Sequence, residues 1–506
     1  LSAPSCSDSM LDFSPTDSGS GKELLKSAST AITSVNGVYR SMWTAGWSTT
    51  ANTHQCFGIA AYNLALDCMA DDLIMQSQGN GWFWGDHCYN VKSNYTSSAF
   101  RSYDVWYANY KWIANVNYII DAEPEMAGTE ADVAYVAGQA YAIRALCYLN
   151  LATWFSRAPY NSLTGASRWN EPCVPVYTTG TSIDTGGQPR ESLRTVYGRI
   201  DQDIDRAIEL LEKARETTLA ENNKSHINLY VALGIKSRAC LAEGDWDGAF
   251  KAAKRVIDEG GYAVGTKSDL TSGMNSLDKQ NVMWGAGIQV ADQAGGYAGF
   301  FTHMDNKEGA YAKSAPKLIS KQLYNRISAT DIRRDWWDPS DKESPYVSKK
   351  FSFANVASFL GDYIYMRVEE MYFTAAEAAL RLDDLKSARE LMNTVMAERD
   401  PGYSANNRSG TLLGATTTTW TGSFLENILT HRRIELWGEY GRLFDVRRLG
   451  QGIDRRTDDG FSEECISMMN RRNVNITKAD TYDWVLTIPK AELDANPNIN
   501  EEDQNP

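Results

Sequence analysis

No stretch of the 506-residue chain approaches the roughly eighteen consecutive apolar residues that a membrane-spanning helix needs. Positive charge is in deficit: 50 Lys and Arg face 64 Asp and Glu, a formal net charge of −14. A phosphate backbone needs clustered cations, so nucleic acid is not an expected partner. The most basic run, Arg442 to Arg456, is interrupted by Asp445, Leu449 and Asp454 and reads as paired charge. None of the 8 cysteines stands in a CxxC spacing, which removes zinc ribbons and thioredoxin-type centres. The chain has no GxSxG, no HExxH and no complete phosphate loop, since Gly19-Ser20-Gly21-Lys22 lacks the earlier glycine. His54 with Cys56, and His87 with Cys88, find no second pair to complete a zinc site. Asp201, Asp203 and Asp205 lack the glycine and terminal glutamate of a calcium loop, and their spacing assigns them to the wet face of a helix. The reading is therefore of a non-enzyme without cofactor or metal. A glycoside hydrolase stays open as an alternative, because it needs only two carboxylates at a set separation in space.

What the chain does have is helical periodicity and aromatics, with 15 Trp and 26 Tyr. Apolar residues at three- and four-residue steps predict helices over 22–39, 100–120, 138–155 and 191–214. Cys147 and Cys240 fall inside such patterns and read as buried thiols; without Cys6, seven cysteines remain, so at least one stays unpaired within the chain. One internal repeat can be counted out. Leu241-Ala-Glu-Gly-Asp-Trp-Asp-Gly-Ala249 aligns with Leu380-Arg-Leu-Asp-Asp-Leu-Lys-Ser-Ala388, with Ala239 over Ala378 and Val256 over Val395. In each, an Ala-rich helix stops at an acidic turn and an amphipathic helix starts at once, the logic of tetratricopeptide-like hairpins that bury their faces by stacking. The fold class expected is mostly α, a tetratricopeptide-like helical-hairpin scaffold with long irregular insertions. Residues 1–21 read as a linker, and 22–506 as a single body with a loop-rich insertion at about 260–352, rich in Gly, Ser, Asp and aromatics.

Four further stretches carry a family resemblance. They are Gly138-Gln-Ala-Tyr-Ala-Ile-Arg144-Ala-Leu-Cys-Tyr148 with Trp154-Phe155 and Pro159, and Arg367-Val-Glu-Glu-Met-Tyr-Phe-Thr-Ala-Ala-Glu377-Ala378. The others are a charged helix, His431-Arg-Arg433-Ile-Glu435-Leu-Trp437-Gly438-Glu439 with Arg442, Asp445, Arg447 and Arg448, and the ending Ile488-Pro489, Glu492, Asn496-Pro-Asn498, Gln504-Asn-Pro506. Together, in this order, they resemble the SusD/RagB family of nutrient-binding lipoproteins. Arg433, Glu435, Glu439 and Arg442 suit an ion-paired network between packed helices, with carboxylates held as fixed anions rather than acids. The resemblance implies a lipid anchor on an N-terminal cysteine, for which Cys6 is the candidate, and an outer-membrane, cell-surface location. It also implies docking onto a SusC-like, TonB-dependent barrel transporter that receives captured oligosaccharide. An oligopeptide ligand of RagB type is the alternative within the fold; a helical-repeat protein adaptor is one outside it.

Two regions supply candidate ligand contacts. In Gly79-Asn-Gly-Trp82-Phe-Trp84-Gly-Asp86-His-Cys-Tyr-Asn90, an extended loop would turn Trp82 and Trp84 the same way, at most one of them fully exposed. A sugar packs its C–H face on an indole, and its hydroxyls need partners such as Asp86 or Asn90. The alternative is that both tryptophans pin the loop to the core. The second region is Trp284, Gln289, Asp292, Tyr297, Phe300, Phe301 and His303, where neighbouring Phe300 and Phe301 cannot face one way in a strand. Trp336-Trp337 is a weaker third choice, and Trp106, Tyr110, Trp154 and Trp437 have the periodicity of core.

Overall fold

The computed structural model describes residues 21, 23–44, 53–90, 100–220, 224–289, 298–479 and 481–506. Several of its helices start where a side chain takes up the unbonded amides of the first turn. α1 spans Ala28–Ser41, α2 Ile59–Met69 and α3 Phe100–Ala122. α4 (Glu130–Phe155) and α5 (Leu193–Lys213) are capped by the Thr129 and Ser192 hydroxyls. α6 (Leu229–Glu243) is capped by Asn228 and α7 (Trp246–Glu259) by Asp245. α8 spans Val368–Arg381, and α9 (Leu385–Ala397) is capped by Asp384. α10 (Phe424–Glu435), α11 (Arg442–Leu449) and α12 (Glu463–Arg471) complete the larger helices.

The repeat is present as two hairpins, α6–α7 and α8–α9. Asp245 and Asp384 occupy the same place in each, accepting from the amides of Gly248 and Ser387. The residue before each cap is left-handed: Gly244 at φ 76° and Asp383 at φ 61°. Each helix packs on the next, α3 on α4, α4 on α5, α5 on α6, α6 on α7, α7 on α8 and α8 on α9, so every hairpin buries its apolar face on a neighbour. Small residues permit the approach: a Cβ on Gly138 in α4 would stand 2.9 Å from Leu211 of α5. One continuous hydrophobic core runs from Ala28 to Ile499.

The stretch 260–352 is less regular than the helical stack, but it is not bare loop. It holds short helices and the strands β2 (Val282–Ala286), β3 (Lys317–Ile319), β4 (Trp337–Asp338) and β5 (Val347–Ser348). With β1 (Leu73–Met75), β3 to β5 form a sheet in the order β1-β3-β5-β4, which ties the stretch to the loop after α2. β2 pairs antiparallel with β6 (Tyr363–Arg367), which leads straight into α8.

Two sequence expectations are corrected. The charged stretch 431–448 is two helices, not one; the chain turns between them through Gly438 and Gly441, at φ 75° and 88°. A Cβ on Gly438 would stand 2.8 Å from Met304 and from Phe351, so packing as well as backbone requires glycine there. Asp203 is not on the wet face of α5. It is fully buried, because Arg144 of α4 binds both its oxygens at 2.8 and 2.7 Å. The terminal motif is tied back as well: Asn505 donates to the carbonyls of Phe155 and Leu486 at 2.9 and 2.8 Å.

Candidate functional site

The 79–90 segment follows β1 and turns twice before α3. A Cβ on Gly79, at φ 51°, would fall 2.6 Å from the Ser314 carbonyl oxygen, so this position takes only glycine without moving backbone. Phe83 is also left-handed (φ 61°), and Trp84–His87 forms a helical turn. The segment is therefore not extended, and Trp82 and Trp84 part company. Phe83 is buried, its amide donating to Gln55 Oε1 at 2.7 Å, and its ring meets Phe57 and His303 edge-on. Trp84 is 3 % exposed. Asp86 is fully buried and accepts from Arg101 Nε and Nη2 at 2.7 and 2.9 Å, a bidentate pair that fixes the loop to α3. Asn90 is half-buried, and its amide donates to the Gly85 carbonyl at 2.7 Å.

Trp82 alone of the two tryptophans stays half-exposed. Its indole stacks on the His54 imidazole with centroids 4.7 Å apart and planes 11° from parallel. Tyr311 meets Trp82 edge-on at 6.1 Å, and its hydroxyl bonds His54 Nδ1. Beneath them His303 Nε2 bonds the His54 carbonyl at 2.6 Å; burial, then the charge of Lys317, pushes the His303 imidazole well below its usual range, so it stays neutral. The result is an aromatic cluster drawn from three separate stretches and held by hydrogen bonds, with Trp82 half-buried at its edge.

The second predicted region divides. Trp284 is 1 % exposed, with Nε1 donating to the Ser225 carbonyl at 3.1 Å and its ring edge-on to Tyr365. Phe301 is 2 % exposed, packed with Phe300, Phe353 and Tyr363. Buried rings offer no face to a ligand, so in this conformation Trp84, Asp86, Trp284 and Phe301 hold the scaffold rather than line a surface. Phe300 and Phe301 lie on a helical turn, which is why both can be buried where a strand would have divided them. Asp292, Tyr297 and Cys6 lie outside the described residues. Trp336, Trp337, Trp106, Trp154 and Trp437 are buried as core. Sequence reasoning passed over Tyr311 and weighed His54 only as a metal ligand; nothing in their spacing connects either with Trp82.

The other polar concentration is internal. Glu435 Oε1 accepts from Arg367 at 3.0 Å and Arg399 at 2.8 Å, while Oε2 accepts from Arg333 at 3.1 Å and Arg399 at 3.2 Å. Burial alone would raise the Glu435 carboxyl, but the Arg399 and Arg367 guanidiniums outweigh it and hold the group well below the usual range. Glu439 pairs with Arg367 and Lys350, and Arg433 and Arg442 with Asp71 and Asp72. Glu435, Glu439 and Asp71 are held low by these cations as fixed anions and cannot serve as proton donors, whereas burial, and then the neighbouring Asp71, push the Asp72 carboxyl up. Among the described residues, no three His, Cys, Asp or Glu side chains gather in a way that could hold a metal ion, and no helix is long and apolar enough to cross a membrane.

A stack of tetratricopeptide-like hairpins, fastened by buried ion pairs and carrying an aromatic cluster on its connections, is the architecture of a helical-repeat binding scaffold. The sequence places it more narrowly. The model of the SusD family matches residues 311–506, and a second, described as starch-binding associating with outer membrane, matches 31–241; the chain belongs to the SusD/RagB family. No curated protein matches the chain. Among solved structures, a SusD-like carbohydrate binding protein from Bacteroides vulgatus is 24% identical with TM-score 0.74, covering 94% of this chain and 98% of its own. A SusD superfamily protein from Bacteroides thetaiotaomicron is 23% identical, TM-score 0.73, covering 95% and 100%. Surface glycan-binding protein A from Bacteroides thetaiotaomicron, in complex with laminarihexaose, is 16% identical, TM-score 0.63, covering 94% and 98%. At these identities the likeness is one of fold.

Proposed function

We propose that this protein captures oligosaccharides at the outer-membrane surface, without cleaving them, and delivers them to a SusC-like, TonB-dependent transporter. Cys6 is the residue we assign to the lipid anchor. The observation that carries the reading is the Trp82 cluster: a half-exposed indole backed by His54 and braced by Tyr311. An indole fixed in this way binds the apolar face of a sugar ring without first losing side-chain freedom. Family membership and the laminarihexaose complex of surface glycan-binding protein A support a glycan over a peptide.

The test is titration calorimetry against a polysaccharide panel and a peptide pool, with Trp82→Ala alongside the native chain. Loss of the anchoring ring should weaken glycan binding by about 2 kcal/mol, roughly 30-fold, with the melting temperature unchanged. Equal affinity in the variant would remove Trp82 from the site. Binding of peptides alone, or release of reducing ends, would overturn capture of glycans as the function.

A further inference from the structure

Asn-Gly occurs twice in the chain, at Asn36-Gly37 and at Asn80-Gly81. In such a pair the glycine amide nitrogen can reach the asparagine side-chain carbonyl, because glycine has no Cβ to bar the approach. The two pairs stand in opposite surroundings. Gly37 lies inside α1, where its N–H belongs to the helical ladder, and Asn36 Oδ1 accepts from His226 Nε2 at 2.7 Å. Asn80 is exposed at the turn before Trp82, and its side chain makes no hydrogen bond among the described residues. Gly79 and Gly81 flank it at φ 51° and 90°, and the Gly81 N–H is held by a single bond, to the Gln78 carbonyl at 2.8 Å. Opening one hydrogen bond slows a reaction by up to about tenfold, whereas freeing Gly37 requires part of α1 to unfold.

We propose that Asn80 is a site of spontaneous deamidation, and that its conversion to isoaspartate releases Trp82 from the His54 stack. The Gly81 nitrogen, its proton taken by water or hydroxide, attacks the Asn80 side-chain carbon. A C–N bond forms, the bond to Nδ2 breaks, and the departing nitrogen takes up a proton and leaves as ammonia. The cyclic imide that remains adds one water. Opening at one carbonyl gives aspartate; opening at the other gives isoaspartate, with the main chain rerouted through the side chain. Asparagine and water thus yield a carboxylic acid and ammonia, and no other reactant is needed. Isoaspartate also adds one carbon to a main chain clamped on both sides. Before it, a Cβ on Gly79 would meet the Ser314 carbonyl oxygen at 2.6 Å; after it, the Phe83 amide is bonded to Gln55 Oε1 at 2.7 Å. With both ends fixed, the added length is taken up between them, where Trp82 stacks on His54. The modification is independent of the ligand reading, and only its effect on binding rests on it.

The full chain is aged in mildly alkaline buffer and mapped by peptide mass spectrometry, with isoaspartate counted by isoaspartyl methyltransferase. Asn80 should convert at least about tenfold faster than Asn36, the margin of one further hydrogen bond to open. Amide exchange over 81–84 should quicken in the converted fraction, and a glycan column that retains the unaged chain should retain less of it. Asn80→Gln, whose longer side chain would have to close a larger ring, should keep its exchange unchanged with age. Asn80→Asp, which adds the charge without the extra carbon, should exchange as the unaged chain does. No conversion at Asn80, or conversion at Asn36 as fast, would overturn the site. Conversion with unchanged exchange over 81–84, or equal quickening in Asn80→Asp, would overturn the release of Trp82 by added length. A column that retains no unaged chain would count against the ligand reading and leave the site standing on its mass map.

Discussion

Replacing Glu435 by glutamine keeps the side chain's shape and removes its charge, in a place closed to solvent where the other anions on its arginines, Asp331, Glu369 and Glu439, are already engaged. Each carboxylate oxygen accepts from two guanidinium groups, Arg367 and Arg399 on one, Arg333 and Arg399 on the other. A glutamine amide can satisfy only one of these pairs. Whichever way it is turned, its NH2 meets two donors, and a buried site with charges in balance gains one uncompensated cation. Removing one partner from a buried ion pair costs about 3–5 kcal/mol. Unfolding entropy of about 2.1 cal/mol/K per residue converts this to a fall in Tm of about 3–5 °C for a chain of this length. Scanning calorimetry at pH 7 measures it directly. The dependence on pH is a second, sharper check. The folded Glu435 carboxyl lies well below its unfolded value, so its contribution is complete above about pH 4.3 and is lost as pH falls through the folded value. The gap between native and variant should therefore be widest at neutral pH and close on acidification. A variant within 1 kcal/mol of native at pH 7, or a gap that does not vary with pH, would refute the view that charge holds this junction.

Asp67 should behave in the opposite way: burial raises its carboxyl to about 8, so the folded protein holds it protonated and loses stability as pH rises from about 4 through 8. Asp67→Asn, which keeps the oxygen that accepts from the Arg442 amide at 2.7 Å, should match native at pH 4 and melt higher at pH 8.5; a lower Tm there would count against a neutral Asp67. The equivalent caps of the two repeat hairpins should also be equivalent in energy. Asp245→Ala and Asp384→Ala should each cost about 1 kcal/mol in urea unfolding, and a cost confined to one would show that the two turns differ in more than sequence.

Much of the scaffold was legible from periodicity. The boundaries of α3 and α5 lie near the apolar patterns that predicted them, α4 ends where its pattern does but starts earlier, at Glu130, and the two hairpins lie where the Leu241 and Leu380 segments align. Periodicity is a local property, and so is a cap. Breaks were less legible: the turn between α10 and α11 depends on Met304 and Phe351, contributed by distant segments, leaving no room for a side chain at Gly438. The same limit explains Asp203, whose aspartate triplet looks solvated until Arg144 of the preceding helix is set against it.

By itself, the sequence determined the helical class, the repeat and the charged signature at 431–448, because these are written in residues close together along the chain. Tertiary structure decided which aromatics face outward and which carboxylates meet which arginines. Trp82 and Trp84 are two residues apart and chemically identical, yet the left-handed turn at Phe83 sends one to a half-exposed stack with His54 and the other into the core. Glu435 likewise meets Arg333, Arg367 and Arg399 only through packing, since exposure and electrostatic pairing depend on distance in space and not on separation in sequence.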